Sequence, residues 1–253
     1  QSLRDFLAKH LNVEIGLNLR SDRWAGADFW EQNADKAISL DYVLANSEVI
    51  TIGIDGGGLD DLLGLAVLGR LATGKWVAWC HAWAHPSVLE RRKEVAPRLQ
   101  DFAKDGDLTL VPHIGADVAD VVEICLTVYE SGLLDKIGVD PAGLGGILDA
   151  LQEAGLPEDA IIGVSQGWKL SGAIKTAERR VAEGALQHSG CALMNWCVGN
   201  AKVVPASNAV NITKQASGTA KIDPLMALFN AVTLMAMNPE ARSGPAIYSL
   251  ELS

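Results

Sequence analysis

Three aspartates sit where an apolar run gives way to a turn or a helix: Asp55 closes ITIGID, Asp140 closes DKIGVD, and Asp223 closes KID ahead of Pro224. Each has an ordinary local use, Asp55 and Asp140 as turn residues and Asp223 as the start of a helix whose first position is proline. Brought together at one edge of a sheet, the same three would make a site for hard divalent cations. Such ions take oxygen ligands and can clamp the attacking and leaving oxygens of a phosphoryl transfer. Gly56, Gly57 and Gly58 behind the first acid exceed what one turn needs, and they let a phosphate or a metal approach the backbone closely. Of the next two acids, Asp61 is a secondary candidate ligand reaching back across the hairpin, and Asp60 reads as a solvated loop residue.

The elements that must position these side chains follow from periodicity. VITIGI is a β-branched run, and LLGLAVLGR and KWVAWCHAWA follow it with short connections, so the three read as an antiparallel meander. Gly69, Gly74 and Lys75 have the spacing of a phosphate-binding loop, but Trp76 stands where Ser or Thr would hold magnesium, and the stretch joins two strands as a hairpin. Beyond Pro86 the spacing predicts a helix to Ala103 interrupted at Pro97, a strand at LTLVP and a helix from Asp117 to Glu130. Strand IGVD, a helix over 144–154, strand IIGVS and a helix from Leu170 to Ala182 come next. Residues Asn195 to Thr219 are polar and poorly periodic, and a strong final helix begins at Pro224. A meander followed by strand-helix alternation is the layout of an α/β, ribonuclease H-like mixed sheet flanked by helices. Residues 1–47 read as a helical lead-in or linker, and 48–253 as the sheet-bearing domain.

Composition narrows the function classes. The 253 residues, 49% of them hydrophobic, suffice for one large core. No apolar run is long enough to span a membrane, and the amino-terminal stretch lacks the layout of a secretory signal, so the expected setting is intracellular and away from membranes. Cys80, Cys125, Cys191 and Cys197 lack the paired spacing of a zinc ribbon and read as buried thiols; a cluster of His188, Cys191 and Cys197 would have no fourth ligand nearby. The net charge of −10 argues against coating a nucleic acid by bulk electrostatics, yet residues 165–225 carry a net +4 while the rest carries −14. A polyanion would therefore meet the face built by the late stretch.

That late stretch, KTAERRVAEGALQHSGCALMNWCVGNAKV followed by ITKQASGTAKIDPLMALFNAV, resembles the nuclease domain of large terminase subunits from tailed bacteriophages of the HK97-like lineage. The likeness rests on the Glu178-Arg179 pair, Leu186 and His188, Trp196 with Asn200, and Lys214 leading to Lys221-Ile222-Asp223. The resemblance implies that Asp55, Asp140 and Asp223 are catalytic metal-binding acids and that Asp61 matches the second acid of an Asp-x5-Asp-Leu pattern. It implies two Mg²⁺ or Mn²⁺ ions, with Asp55 bridging them, and cleavage of double-stranded viral DNA during packaging with little sequence preference. Lys214, Lys221, Lys175 and Arg179 would contact DNA phosphates. In the full-length assembly the partners would be a portal protein and a small terminase subunit, in the cytoplasm of a bacterial host. The glycines after the first acid depart from the Ser or Thr frequent in that family, and no ATP-binding loop is present. Two other readings stand beside it: an ATP-binding relative of sugar or acetate kinases, whose first phosphate loop IGIDGGG resembles, and a non-catalytic docking module whose acids are only caps and turns.

Overall fold

The computed structural model describes residues 22–141, 145–206, 209–214 and 221–242, so the earliest part of the lead-in and the last part of the tail lie outside the described residues. Strands β1 (Ser47–Gly56), β2 (Leu63–Leu71) and β3 (Trp76–Ala84) form the antiparallel meander read from the sequence. On the other side of β1, β5 (Leu134–Val139) and β6 (Ile161–Gly163) pair in parallel. The far flank of β3 is shared by β4 (Leu108–Leu110) and β7 (Leu186–His188), both parallel to it. The order β4-β3-β2-β1-β5-β6, with β7 pairing β3 off this path, is the expected mixed sheet, and β1 lies inside it, flanked by β2 and β5.

Because β1 is covered on both faces, it is apolar nearly throughout, and its pleat sorts side chains between two helical layers. Ile50, Ile52 and Ile54 face the layer of α2 (Leu40–Asn46), α5 (Ala116–Glu130) and α6 (Gly145–Glu153). Thr51 and Gly53 face the opposite layer, where α9 (Asp223–Met235) lies across β1 and β2 with α7 (Ser171–Ala182) and α8 (Ala192–Asn200) packed beside it. The approach of α9 is unusually close. A Cβ on Gly53 would stand 1.8 Å from the carbonyl oxygen of Ala227, and one on Gly64 2.6 Å from the nitrogen of Pro224. Glycine at both positions is what lets a helix rest on the strand backbone.

Three expectations are revised. The expected break falls at residues 92–95, just ahead of Pro97: after α3 (Ser87–Arg91) a new helix, α4 (Ala96–Lys104), begins, with the proline in its first turn, where its missing N–H costs no hydrogen bond. The stretch read as irregular, Asn195 to Thr219, contains most of α8 and a hairpin of β8 (Ala201–Ala206) with β9 (Ala209–Lys214). The lead-in from residue 22 onward, with its short helix α1 (Ala27–Trp30), is built into the body. Trp24 and Trp30 are fully buried in the α9-side core, Trp24 lies edge-on to Phe229, and Ala34 bridges to His188. The boundary at residue 47 therefore coincides with no break in packing. Among the described residues no helix is long and apolar enough to cross a membrane.

Candidate functional site

The last residue pair of the parallel β1–β5 ladder is Ile54↔Val139, so Asp55 and Asp140 each stand one step past it. Strand spacing of about 4.8 Å makes them neighbours. Gly53 and Gly138 both point at α9, and a pleat of period two carries Asp55 onto the same face; a chain that stays extended past Val139 does the same for Asp140. On its other side Asp55 is paired with Gly64, the residue on which Asp223 and Pro224 rest. A Cβ on Gly56 would lie 3.2 Å from Asp223 Oδ1. The backbones of the three acids thus stand at one end of the sheet, in the order Asp140, Asp55, Asp223. Asp223 is the first residue of α9, with Ile222 at the cap, and it lies at the positive end of the helix dipole.

The donor set consists of hard carboxylate oxygens, which suits a magnesium- or manganese-like ion. Beside it, Gly56, Gly57 and Gly58 all have positive φ, and a Cβ on Gly58 would meet nothing within 4 Å, leaving an open flank on the first acid. Among the described residues no three acidic, histidine or cysteine side chains form a ready-made metal cluster. The fit therefore lies in the chemistry of the donors and their common placement.

Asp61 and Lys221 belong to the support of this site. The Lys221 side chain is 1% exposed; its ammonium donates to Asp61 Oδ1 at 2.5 Å and to the Asp60 carbonyl at 2.7 Å. Asp61 also accepts from the Leu62 backbone N–H, while Arg92 forks onto both oxygens of Asp60. The loop between β1 and β2 is thereby tied to the segment entering α9 on one side and to the end of α3 on the other. Lys221, expected on the surface against DNA phosphates, is instead an internal brace, because its stem is enclosed and its charge is matched by Asp61. Asp60, expected to be a solvated loop acid, is the anchor of Arg92.

The other expected phosphate contacts divide. Lys175 is exposed on α7. Arg179 pairs with Glu183 one helical turn on, near the end of α7 that Arg180 ties to the β2–β3 hairpin through the Gly74 carbonyl. The acids stand at the opposite end of the sheet. Glu178 does not join Arg179; partial burial pushes its carboxyl upward, opposed by the charge of Lys175. Lys214 ends β9, and its side chain lies outside the described residues.

Sequence reasoning passed over Asn230. It is fully buried in α9, donates through Nδ2 to the Ile54 carbonyl at 2.9 Å, and accepts from Gln166 at 3.0 Å. Its amide locks α9 to the residue before Asp55, and a single amide inside LMALFNAVTLM was the available signal. His188 is buried and neutral: Nε2 donates to the Trp30 carbonyl, Nδ1 accepts from Gly190 N–H, and desolvation lowers its pKa to about 4. The four cysteines are free and buried. Burial, aided by the Asp223 carboxylate, pushes the Cys197 thiol up, so it remains a protonated filler beside the acids.

The family model for the terminase large subunit endonuclease domain matches residues 1–239. Protein YmfN of Escherichia coli strain K12 is 23% identical over 245 residues, which cover 90% of this chain and 51% of YmfN. Among solved structures, the HK97 bacteriophage large terminase matches with a TM-score of 0.63 at 22% identity, covering 79% of this chain and 43% of that one. The large terminase nuclease of thermophilic phage G20c, with bound magnesium, matches with a TM-score of 0.51 at 15% identity, covering 85% and 98%. The chain thus spans about half the length of YmfN, and the structural likenesses show a shared fold.

Proposed function

Since the chain belongs to the family of terminase large subunit endonuclease domains, we propose that it hydrolyses phosphodiester bonds of double-stranded DNA, with Asp55, Asp140 and Asp223 as the residues that hold two divalent cations. One observation supports this reading: the backbones of three acids distant in sequence stand at one end of the sheet, Asp55 on the strand between the other two. When bound, the cations supply positive charge that acidifies a water and stabilises the departing 3′ oxygen. The protein's part is placement. Gly64 and Gly56 let Asp223 seat closely on the β1–β2 hairpin, Asn230 fixes the backbone just before Asp55, and the Lys221-Asp61 pair steadies the loop between β1 and β2. No side chain need act as nucleophile. The substrate is viral DNA at packaging, cut with little sequence preference in a bacterial cytoplasm, in an assembly that includes a portal protein and a small terminase subunit.

Incubation with supercoiled plasmid and Mg²⁺ or Mn²⁺ tests the reading. Replacing Asp55 with Asn removes the shared ligand and is expected to lower nicking by at least about a hundredfold, since several kcal/mol of transition-state stabilisation depend on it. The far-ultraviolet spectrum and unfolding midpoint should be unchanged. An Asp55→Asn protein that nicks at the wild-type rate removes the mechanism.

A further inference from the structure

At the end of the sheet opposite the acids, Arg70, Trp76, Thr176, Arg180 and Asn238 line a cavity of about 170 Å³. The guanidinium of Arg180 lies 3.6 Å above the Trp76 ring and, among the described residues, makes one hydrogen bond, to the Gly74 carbonyl. Arg70 donates through Nε to Glu48 and through Nη1 to Asn238. A guanidinium carries five N–H donors, so both arginines keep donors in reserve. No carboxylate is bonded to Arg180 among the described residues, because Glu183 is taken by Arg179. The two arginines feel one another: after desolvation and against the pull of Glu183, the charge of Arg70 contributes to lowering the Arg180 pKa. The indole N–H of Trp76 is buried and has no acceptor.

Arg70 is matched by Glu48 at 2.7 Å, whereas Arg180 is bonded to no carboxylate among the described residues, and an unmatched charge beside an unsatisfied buried donor favours an anion. The unspent donors of Arg180 and Arg70 outnumber what one planar carboxylate can accept, whereas a tetrahedral phosphate presents oxygens in several directions and matches guanidinium forks. We infer that this cavity is an oxyanion site that takes a phosphate group between Arg180 and Arg70. The phosphate comes either from free inorganic phosphate or from a nucleic-acid backbone. The site is separate from the acids and does not depend on cleavage.

The test is a titration of ¹⁵N-labelled protein with sodium phosphate against sodium chloride at equal ionic strength, without divalent cations. It follows the indole N–H resonances, and the one missing from Trp76→Phe identifies Trp76. A saturable shift of that resonance by phosphate and not by chloride is expected, weakened about tenfold or more in Arg180→Gln and less in Arg180→Lys, which keeps the charge but loses the fork. A second arm uses a short blunt DNA duplex. If the duplex shifts the same resonance and displaces phosphate, the source is a backbone phosphate; if inorganic phosphate alone does so, it is the free ion. No saturable shift from either ligand, or an unchanged response in a folded Arg180→Gln protein, overturns the site.

Discussion

Replacing Gly53 with alanine tests the link between the sheet and the candidate site. The added methyl would stand 1.8 Å from the Ala227 carbonyl oxygen and 2.6 Å from the Ala231 nitrogen, both in the backbone of α9. Carbon-oxygen contacts need more than 3 Å, so the helix must back away by roughly 1.5 Å or lose its own hydrogen bond at that turn. Overpacking of a side chain costs about 1–3 kcal/mol, and here the obstacle is backbone that cannot rotate aside, so about 3–5 kcal/mol is expected. For a domain of this size that lowers the thermal midpoint by roughly 10 °C. Asp223 at the head of α9 must move with it, so nicking should fall even where the protein remains folded. Gly64→Ala, meeting Pro224 at 2.6 Å, should cost less than Gly53→Ala. Gly172→Ala, which meets nothing, should be neutral or stabilising by up to about 1 kcal/mol. Urea and thermal unfolding of the three variants give the ranking. A Gly53→Ala protein within about 1 kcal/mol of wild type would refute the argument that α9 is seated on the β1 backbone.

Lys221→Met keeps most of the buried stem but removes a 2.5 Å bond to Asp61 and a 2.7 Å bond to the Asp60 carbonyl. Because Asp61 is partly exposed and can rehydrate, the expected loss is about 2–4 kcal/mol in urea unfolding, and equal stability would end the bracing role. His188 is held neutral with its pKa lowered from 6.5 to about 4. Its contribution is intact above pH 6.5 and is lost as the unfolded chain takes up the proton between 6.5 and about 4, by about 3 kcal/mol in all; the slope of stability against pH should flatten over that window in His188→Gln. With Lys221 buried and Arg179 paired, Lys175 and Lys214 remain of the four expected phosphate contacts, plus the Arg70–Arg180 cavity if a backbone phosphate enters it. Duplex affinity of the Asp55→Asn protein should then vary with salt with a log-log slope of about −2 to −3, and anisotropy titrations steeper than about −5 would contradict that count.

The parts of the fold visible in the sequence were those whose two faces differ or whose length is diagnostic. The β1–β3 meander, α5 and α9 announce themselves by β-branched runs or helical stripes. Helix α8 did not, because Leu193, Met194, Cys197 and Val198 bury it on several sides and erase the period. Strand β7 is three residues long and exists because β3 offers it an edge, which is information held elsewhere in the chain. The position of each acid at or next to an element end was legible because each ends an apolar run. The burial of Lys221 was not: a lysine that follows Ser217, Gly218 and Thr219 reads as surface, and its enclosure depends on a loop 160 residues earlier. The Arg179-Glu183 pair was legible in principle from i,i+4 spacing, and it outweighed the adjacent Glu178 because neighbours in sequence point away from one another on a helix.

A chain of net charge −10, with Lys221 buried and Arg179 paired to Glu183, offers a polyanion little bulk attraction. On the proposed nuclease reading, bulk surface charge contributes little to the encounter with DNA. Tethering to a DNA-holding part would raise the local concentration of duplex to the millimolar range for a short connection, which compensates for weak intrinsic affinity. Weak affinity then becomes useful: a nuclease that binds poorly on its own cuts only where its tether delivers DNA. On this view the brace of Lys221 against Asp61 is consistent with the economy of the site, since a lysine spent on rigidity is one withheld from non-specific binding.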